Sequence, residues 1–363
     1  MLRSTSIRFQ AVKDSIARSI LKLLKGFPSE SALKVLRLEA PCPQIKCLPW
    51  LAIQASEKKI YWSDRDATFE MAGIGAADIA RSNEFIDYRE PFLTIREKLS
   101  LANDNPRYYG GINFYPPQMN RVKRKHDEEW RLYGAYYFLL PQFEIVRRKE
   151  KTFFACNILT RDITKARIKE YLIALDTLSF LPESPHKKAV PRIRSVHTFP
   201  DKSKWFKLFK EHIQPSGKMA YQKIVLAQKT SIELIAELEP LVVFRKLVQE
   251  TAGSFHYYFQ PQAGRAFFGA SPERLFKRQG RSIESEALAG TRPRGRTKEE
   301  DVCFEKKLLS STKDALEHNI VAEAIKKSFH TLCLSFQADE RPSVVKASSG
   351  QHLITRFQGR LKK

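Results

Sequence analysis

The chain has 363 residues, 42% of them hydrophobic, enough to bury a sizeable core as one large domain or two ordinary ones. A formal charge of +23 raises nucleic acid or an anionic membrane as partners. Its basic residues are spread throughout, though, with no zinc-finger spacing, RNP-like aromatic motif or long polybasic tail, so neither partner is expected.

Residues 7–25 place Val12, Ile16, Ile20 and Leu24 at intervals of four between Arg8, Lys13, Arg18 and Lys22. That is an amphipathic basic helix, and packing on the domain explains it more simply than a transit peptide. From Cys47 the pattern turns strand-like. CLPWLAIQ, KKIYWSDRD and TFEMAGIGAA alternate short apolar runs with charged or glycine turns, a β-meander pattern. Tyr109–Phe114, Tyr136–Leu140, Pro141–Val146 and Phe153–Leu159 continue it. Gly73-x-Gly75 lacks the third glycine and the following helix of a dinucleotide loop. The run from Asn120 to Arg131 interleaves both charge signs, as a solvated face does. Residues 162–180 read as a helix through Ile168, Leu172 and Leu175, and the proline-rich run from Pro182 to Pro200 as a linker. Next come a helix from Trp205 to Ile213, a helix over Ile232–Glu250 and a strand over Ser254–Gln260. The five cysteines (Cys42, Cys47, Cys156, Cys303, Cys333) are odd in number and lack ligand spacing. They speak for a reducing cytoplasm rather than a zinc site or disulfide framework. No apolar run approaches the roughly 18 residues that span a membrane.

The chemistry-bearing residues concentrate between Tyr221 and His318. YQKIVLAQKT reads as an apolar strand with Lys223 at its mouth, where desolvation can lower a lysine pKa toward that of a general base. Taken by itself, the stretch reads more simply as an edge lysine that discourages aggregation. In FGASPERL the strand Arg265–Phe268 stops at a Gly-Ala-Ser-Pro turn, leaving Glu273 at its end. SEALAGTRPRG brings small residues around Gly290 and Thr291, where backbone can closely approach a ligand and offer amides to a carboxylate. Lys306–Lys327 reads as one helix carrying Asp314, Glu317 and His318. Two carboxylates on one face suit Mg²⁺, although the same spacing often marks an ordinary surface face.

Taken in order, KIVLAQ, GASPERL, EALAGTRPRG and LLSSTKDALEH resemble the chorismate-utilising enzymes, and within them the isochorismate synthases. WLAIQ, YWSDRD, YGGINF and LPQFEI extend the resemblance into the first half of the chain. It implies a mixed α/β fold of α+β type, two antiparallel sheets flanked by helices. The expected division is a β-rich scaffold half over residues 1–195 and a chorismate-binding half over 196–363, both parts of one intertwined domain. It also implies Mg²⁺-dependent addition of water to chorismate at C2 with loss of the C4 hydroxyl, feeding menaquinone or siderophore synthesis. Lys223 would be the general base, Glu273 the general acid and Glu317 a Mg²⁺ ligand. Gly290, Thr291 and, further on in QHLITRFQG, His352 would bind substrate. Branches that add ammonia lack the lysine on the first strand, and those with a lysine nucleophile in the Gly-Thr motif differ at Ala289. Water is therefore the implied nucleophile, with salicylate formation a neighbouring possibility.

Against the family pattern the sequence stops early, at Lys363. The resemblance places a second metal-binding glutamate and the arginines that grip the substrate carboxylates further on. The expectation is thus a C-terminally incomplete fold, either a truncated chain or one half of a split enzyme whose partner is a separate C-terminal fragment, with a non-catalytic remnant as the alternative. The chain alone is expected to turn over poorly.

Overall fold

The computed structural model describes residues 2–26, 33–84, 87–99, 105–114, 129–180, 190–213, 224–348 and 350–362. In chain order the elements are α1 (Leu2–Gly26), β1 (Val35–Cys42), α2 (Cys47–Ile53), β2 (Lys59–Ser63), β3 (Phe69–Ile74) and β4 (Asp78–Ser82). There follow α3 (Glu90–Leu99), β5 (Tyr109–Ile112), β6 (Tyr136–Leu140), β7 (Phe143–Arg148), β8 (Lys151–Leu159) and α4 (Lys165–Asp176). The next are β9 (Ile193–Phe199), α5 (Lys202–Ile213), β10 (Lys229–Leu234), α6 (Pro240–Glu250), β11 (Phe255–Gln262) and β12 (Arg265–Ser271). The last are β13 (Lys277–Gln279), β14 (Ser282–Pro293), α7 (Lys298–Leu309), α8 (Thr312–Leu332), β15 (Cys333–Ala338), β16 (Ser343–Lys346) and β17 (Gly350–Leu361). The chain divides into two compact units, one of Met1–Lys187, Val243–Leu247 and Phe255–Ala270, the other of Lys188–Val242, Val248–Ser254 and Ser271–Lys363.

The first unit is built on a seven-stranded sheet, ordered β1-β8-β7-β3-β2-β11-β12. The pairs from β1 through to β11 are antiparallel. Central strands bury both faces, so they read as near-continuous apolar runs. Ile145, Val146, Phe154, Ala155, Cys156 and Ile158 are all almost fully buried. A three-stranded sheet, β4-β6-β5, lies in the same unit. Helix α1 is a packed element: Phe9, Val12, Ile16 and Ile20 are buried, Phe9 stacks on Phe180 at 5.0 Å, and Lys13 Nζ donates to the Asp176 carbonyl at 2.8 Å.

The second unit holds a five-stranded sheet with β13-β14-β17-β15 in order and β16 also on β17, and a two-stranded ribbon of β9 and β10. Long strands β14 and β17 pair along most of their length, Ser282 opposite Arg360 to Pro293 opposite Gly350. Alternation puts Ile283, Ala287, Phe357 and Leu361 on the face covered by α8, where they pack with Phe329 and Cys333. Mixed α/β architecture with antiparallel sheets and flanking helices is therefore the observed fold class.

Several elements differ from the sequence expectation, each for a physical reason. CLPWLAI forms helix α2, not a strand. A continuous apolar run is ambiguous between the two, and Cys47, Leu48 and Leu51 bury a helical face. Among the described residues, from 224 onward, the strand expected over Tyr221–Thr230 begins only at Lys229, and it replaces the start of the helix expected from Ile232, which begins at Pro240. Proline at a first helical position fits its fixed φ. Strand β9 occupies the second part of the proposed linker. The single helix expected over Lys306–Lys327 is two, because Ser310 ends α7 and Ser311 caps α8 through its hydroxyl. Among the described residues no helix is long and apolar enough to cross a membrane, which says nothing about strands.

Candidate active site

The candidate site is built where β14 meets β17 and the start of α8. Register along the two strands slips between Ala289 and Thr291, so Gly290 is a bulge residue, left out of the ladder. Its φ of +76° lies in the left-handed region that favours glycine. A Cβ there would stand 3.1 Å from Asp314 Cβ and 3.4 Å from Leu353 Cδ1, so a side chain would press on Asp314 as well as strain the backbone.

Past the bulge, Thr291 Oγ1 lies 3.0 Å from His352 Nδ1, its neighbour across the strands. Burial holds the His352 imidazole below its ordinary pKa, with the Gly290 backbone pulling weakly the other way. Arg292 then bridges two elements: Nη1 donates to the Thr291 carbonyl at 2.8 Å, and Nη2 to Asp314 Oδ2 on α8 at 2.5 Å. Burial alone would push the Asp314 carboxyl up, but its bonds to Ser311 and Arg292 outweigh that and hold it below the usual range. The Ser311 hydroxyl accepts from the Asp314 amide and so starts the helix. A bulge, a threonine hydroxyl and the first turn of a helix thus share one corner, the positive end of α8. That combination favours a carboxylate.

Beside it sits a second knot around Asp301, near the start of α7. Its carboxylate accepts from Arg294 Nε at 2.8 Å, the Gly295 amide at 2.9 Å, Lys346 Nζ at 3.0 Å and Gln351 Nε2 at 3.0 Å. The Arg294 bond, then the Gly295 amide and Lys346, hold this carboxyl far below the usual range. Arg292 and Arg294 are therefore each bonded to an aspartate, and their charge is largely spent inside the protein.

The structure brings Gly290, Thr291 and His352 together. Glu317 stands half-buried on α8, one turn beyond Asp314. Its neighbour His318 is buried with Nε2 2.7 Å from Thr355 Oγ1, and burial lowers its pKa despite the Ala289 backbone. Glu273 lies exposed in the loop after β12, its amide donating to Ser271 Oγ at 3.2 Å. That loop is tied to β14 by Arg274 Nη1 on Glu284 at 3.1 Å and by Ser285 Oγ on the Leu275 carbonyl at 2.8 Å. Both ties lie toward the end of β14 remote from Gly290, and the described contacts do not join Glu273 to the Thr291–His352 pair. Lys223 lies outside the described residues.

As a metal centre the corner is incomplete. Among the described residues no three His, Cys, Asp or Glu side chains are grouped to hold an ion. Asp314 is taken up by Arg292 and His318 by Thr355. Sequence reasoning missed the Arg292–Asp314 and Asp301 contacts. The usable signals were Ser310-Ser311 as a helix break and Thr297-x-x-Glu300 as a helix start.

A family model described as chorismate binding enzyme matches residues 22–363. The chain is 28% identical to a chloroplastic isochorismate synthase of Catharanthus roseus over 308 residues, 83% of this chain and 52% of the relative. It is 26% identical to the isochorismate synthase MenF of Bacillus subtilis over 319 residues, 84% of this chain and 66% of the relative. The chain thus spans between about half and two thirds of the length of these relatives. The solved structure of MenF, the menaquinone-specific isochorismate synthase of Escherichia coli, superposes with a TM-score of 0.76 at 20% identity, covering 96% of this chain and 75% of that one.

Proposed function

The chain belongs to the chorismate-binding enzyme family, and from that premise we propose that it acts as an isochorismate synthase, an isomerase that moves the ring hydroxyl of chorismate from C4 to C2. The observation that carries this reading is the Gly290 bulge, with Thr291 on His352 and the start of α8 beside it. It is a ready seat for a substrate carboxylate.

The proposed roles follow the chemistry. Lys223 takes a proton from water as its oxygen bonds to C2. The ring double bonds shift, and the C4 oxygen leaves as water with the proton of Glu273. Atoms balance, one water entering and one leaving. Thr291 and the Gly290 backbone hold a carboxylate, with His352 fixing the threonine hydroxyl. Mg²⁺ is proposed on the strength of the resemblance alone, with Glu317 as its ligand. The described donors do not complete its oxygen shell, and no step here runs through it. A cytoplasmic setting belongs to the same proposal. The product would supply menaquinone or siderophore synthesis.

The test is to incubate the purified chain with chorismate and Mg²⁺, alone and with a C-terminal fragment of a relative, and to follow products by chromatography. Isochorismate supports the reading. Salicylate as the end product, or no conversion in either mixture, overturns it.

A further inference from the structure

We propose that Asp314 is a positioning residue that acts through Arg292 to fix the Thr291 peptide, and with it the orientation of the anion-binding bulge at Gly290. This role rests on the reading of the bulge as a chorismate carboxylate seat.

The geometry is a chain of three contacts from helix to strand. Asp314 Oδ2 accepts from Arg292 Nη2 at 2.5 Å, and the same guanidinium donates through Nη1 to the Thr291 carbonyl at 2.8 Å. Thr291 continues the chain to His352 on β17 at 3.0 Å. A guanidinium presents its donors in a rigid planar fork, so fixing one arm on a carboxylate aims the other at the carbonyl. That carbonyl belongs to the residue directly after the bulge, where the ladder resumes with Thr291 opposite His352. Asp314 is itself immobile. It is buried, its amide is capped by Ser311 at 3.3 Å, and its Cβ stands against Gly290. A lysine in place of Arg292 would keep the charge pair but could not span both acceptors. Nothing in this chain of contacts touches Glu273, so carboxylate seating and proton donation should separate in kinetics.

The experiment compares Asp314→Asn, Arg292→Lys and wild type in three measurements: thermal midpoint, KM and kcat for chorismate, and the amide resonances of ¹⁵N-labelled glycine and threonine. Losing the alignment of one charge-assisted contact should raise KM about 10- to 100-fold, with kcat within about threefold. Arg292→Lys should raise KM while leaving the thermal midpoint near wild type, and the Gly290 and Thr291 amides should shift in both variants. A merely structural pair would predict the reverse: lysine restores KM with the charge, and KM rises only in step with lost stability. That result, or unmoved Gly290 and Thr291 amides, overturns the proposal. Wild-type protein that fails to convert chorismate both alone and with the C-terminal fragment refutes the functional reading. The amide shifts still decide whether Asp314 orients the bulge.

Discussion

In the seven-stranded sheet, Arg37 meets Glu144 with their side chains 2% and 1% exposed, and Asn157 bonds to both. In the five-stranded sheet, Arg292 meets Asp314 with the guanidinium side chain 32% exposed. Both are arginine–carboxylate contacts between elements, yet their surroundings give them different work. The first is walled in by β1, β7 and β8, and no small molecule can reach it. The second lies at a strand irregularity beside a helix start, where the partly open arginine holds a backbone group in place. Buried charge that is fully partnered marks scaffold. Partnered charge left half open beside a bulge marks a candidate site.

The sharpest way to break this comparison is to remove each arginine. Arg37→Met leaves the buried Glu144 without its counter-charge, and breaking a buried pair costs about 3–5 kcal/mol. Arg292→Met leaves the buried Asp314 carboxylate its bond to Ser311, and the guanidinium removed is 32% exposed and partly screened by water, so a smaller loss than at Arg37 is expected. Urea unfolding of both variants reads the difference directly. Equal destabilisation would mean that the two contacts are alike and that the second has no claim to a special role.

A second test concerns the one proposed acid. Glu273→Gln keeps the size of the side chain but cannot give up a proton, so turnover should fall about 10²–10⁴-fold with chorismate affinity retained. Because the Glu273 loop is tied to the far part of β14, its thermal midpoint should match wild type. Retention of more than about a tenth of the rate would assign the acid elsewhere.

The bulge can be probed against a matched glycine. Gly264 in the first unit and Gly290 in the second have φ of +73° and +76°, but a Cβ on Gly264 meets nothing within 4 Å. Alanine at Gly264 bears only the conformational cost, about 1–2 kcal/mol. Alanine at Gly290 adds the approach to Asp314 Cβ and should cost measurably more, while also weakening chorismate binding. Equal losses in the two variants would show that Asp314 yields without resistance.

Much of this was legible from the chain itself. Short apolar runs bounded by turns located β6, β7, β8 and β11 to within a few residues, and the order of four motifs marked the region of the site. What the sequence did not show is pairing. Thr291 and His352 are 61 residues apart, and Arg292 and Asp314 22 apart. The slip that brings Thr291 opposite His352 depends on a single glycine whose neighbours, Ala289 and Thr291, look like ordinary strand residues. Helix α2 was misread because CLPWLAI carries no polar residue to set a period. The break between α7 and α8 was missed because helical spacing of leucines runs on across Ser310-Ser311, while the serine hydroxyls turn the backbone locally.

The smallest expected effect is a dependence of stability on pH, and it bears on whether His352 is buried as the site requires. Burial lowers its pKa, so the folded state favours the neutral imidazole. Well above pH 6.5, the ordinary value for histidine, folded and unfolded chains both carry a neutral ring, and this group adds no pH dependence. As pH falls below 6.5 the unfolded chain takes up its proton first. It then binds more protons than the folded chain, and stability declines with falling pH. Asp301 and Asp314 have depressed values too, but their contribution is lost only as pH drops through the carboxylate range near 4 and below, so the two windows separate. His318 shares the sign of His352, and one substitution should remove only part of the slope. The measurement is the urea midpoint of wild type and His352→Gln at pH 7.5, 6.5 and 5.5. Wild type should lose stability across that range, and His352→Gln should lose less. If the variant keeps the full wild-type slope, His352 titrates as a solvated histidine, and its pairing with Thr291 cannot be the fixed contact on which the carboxylate seat depends.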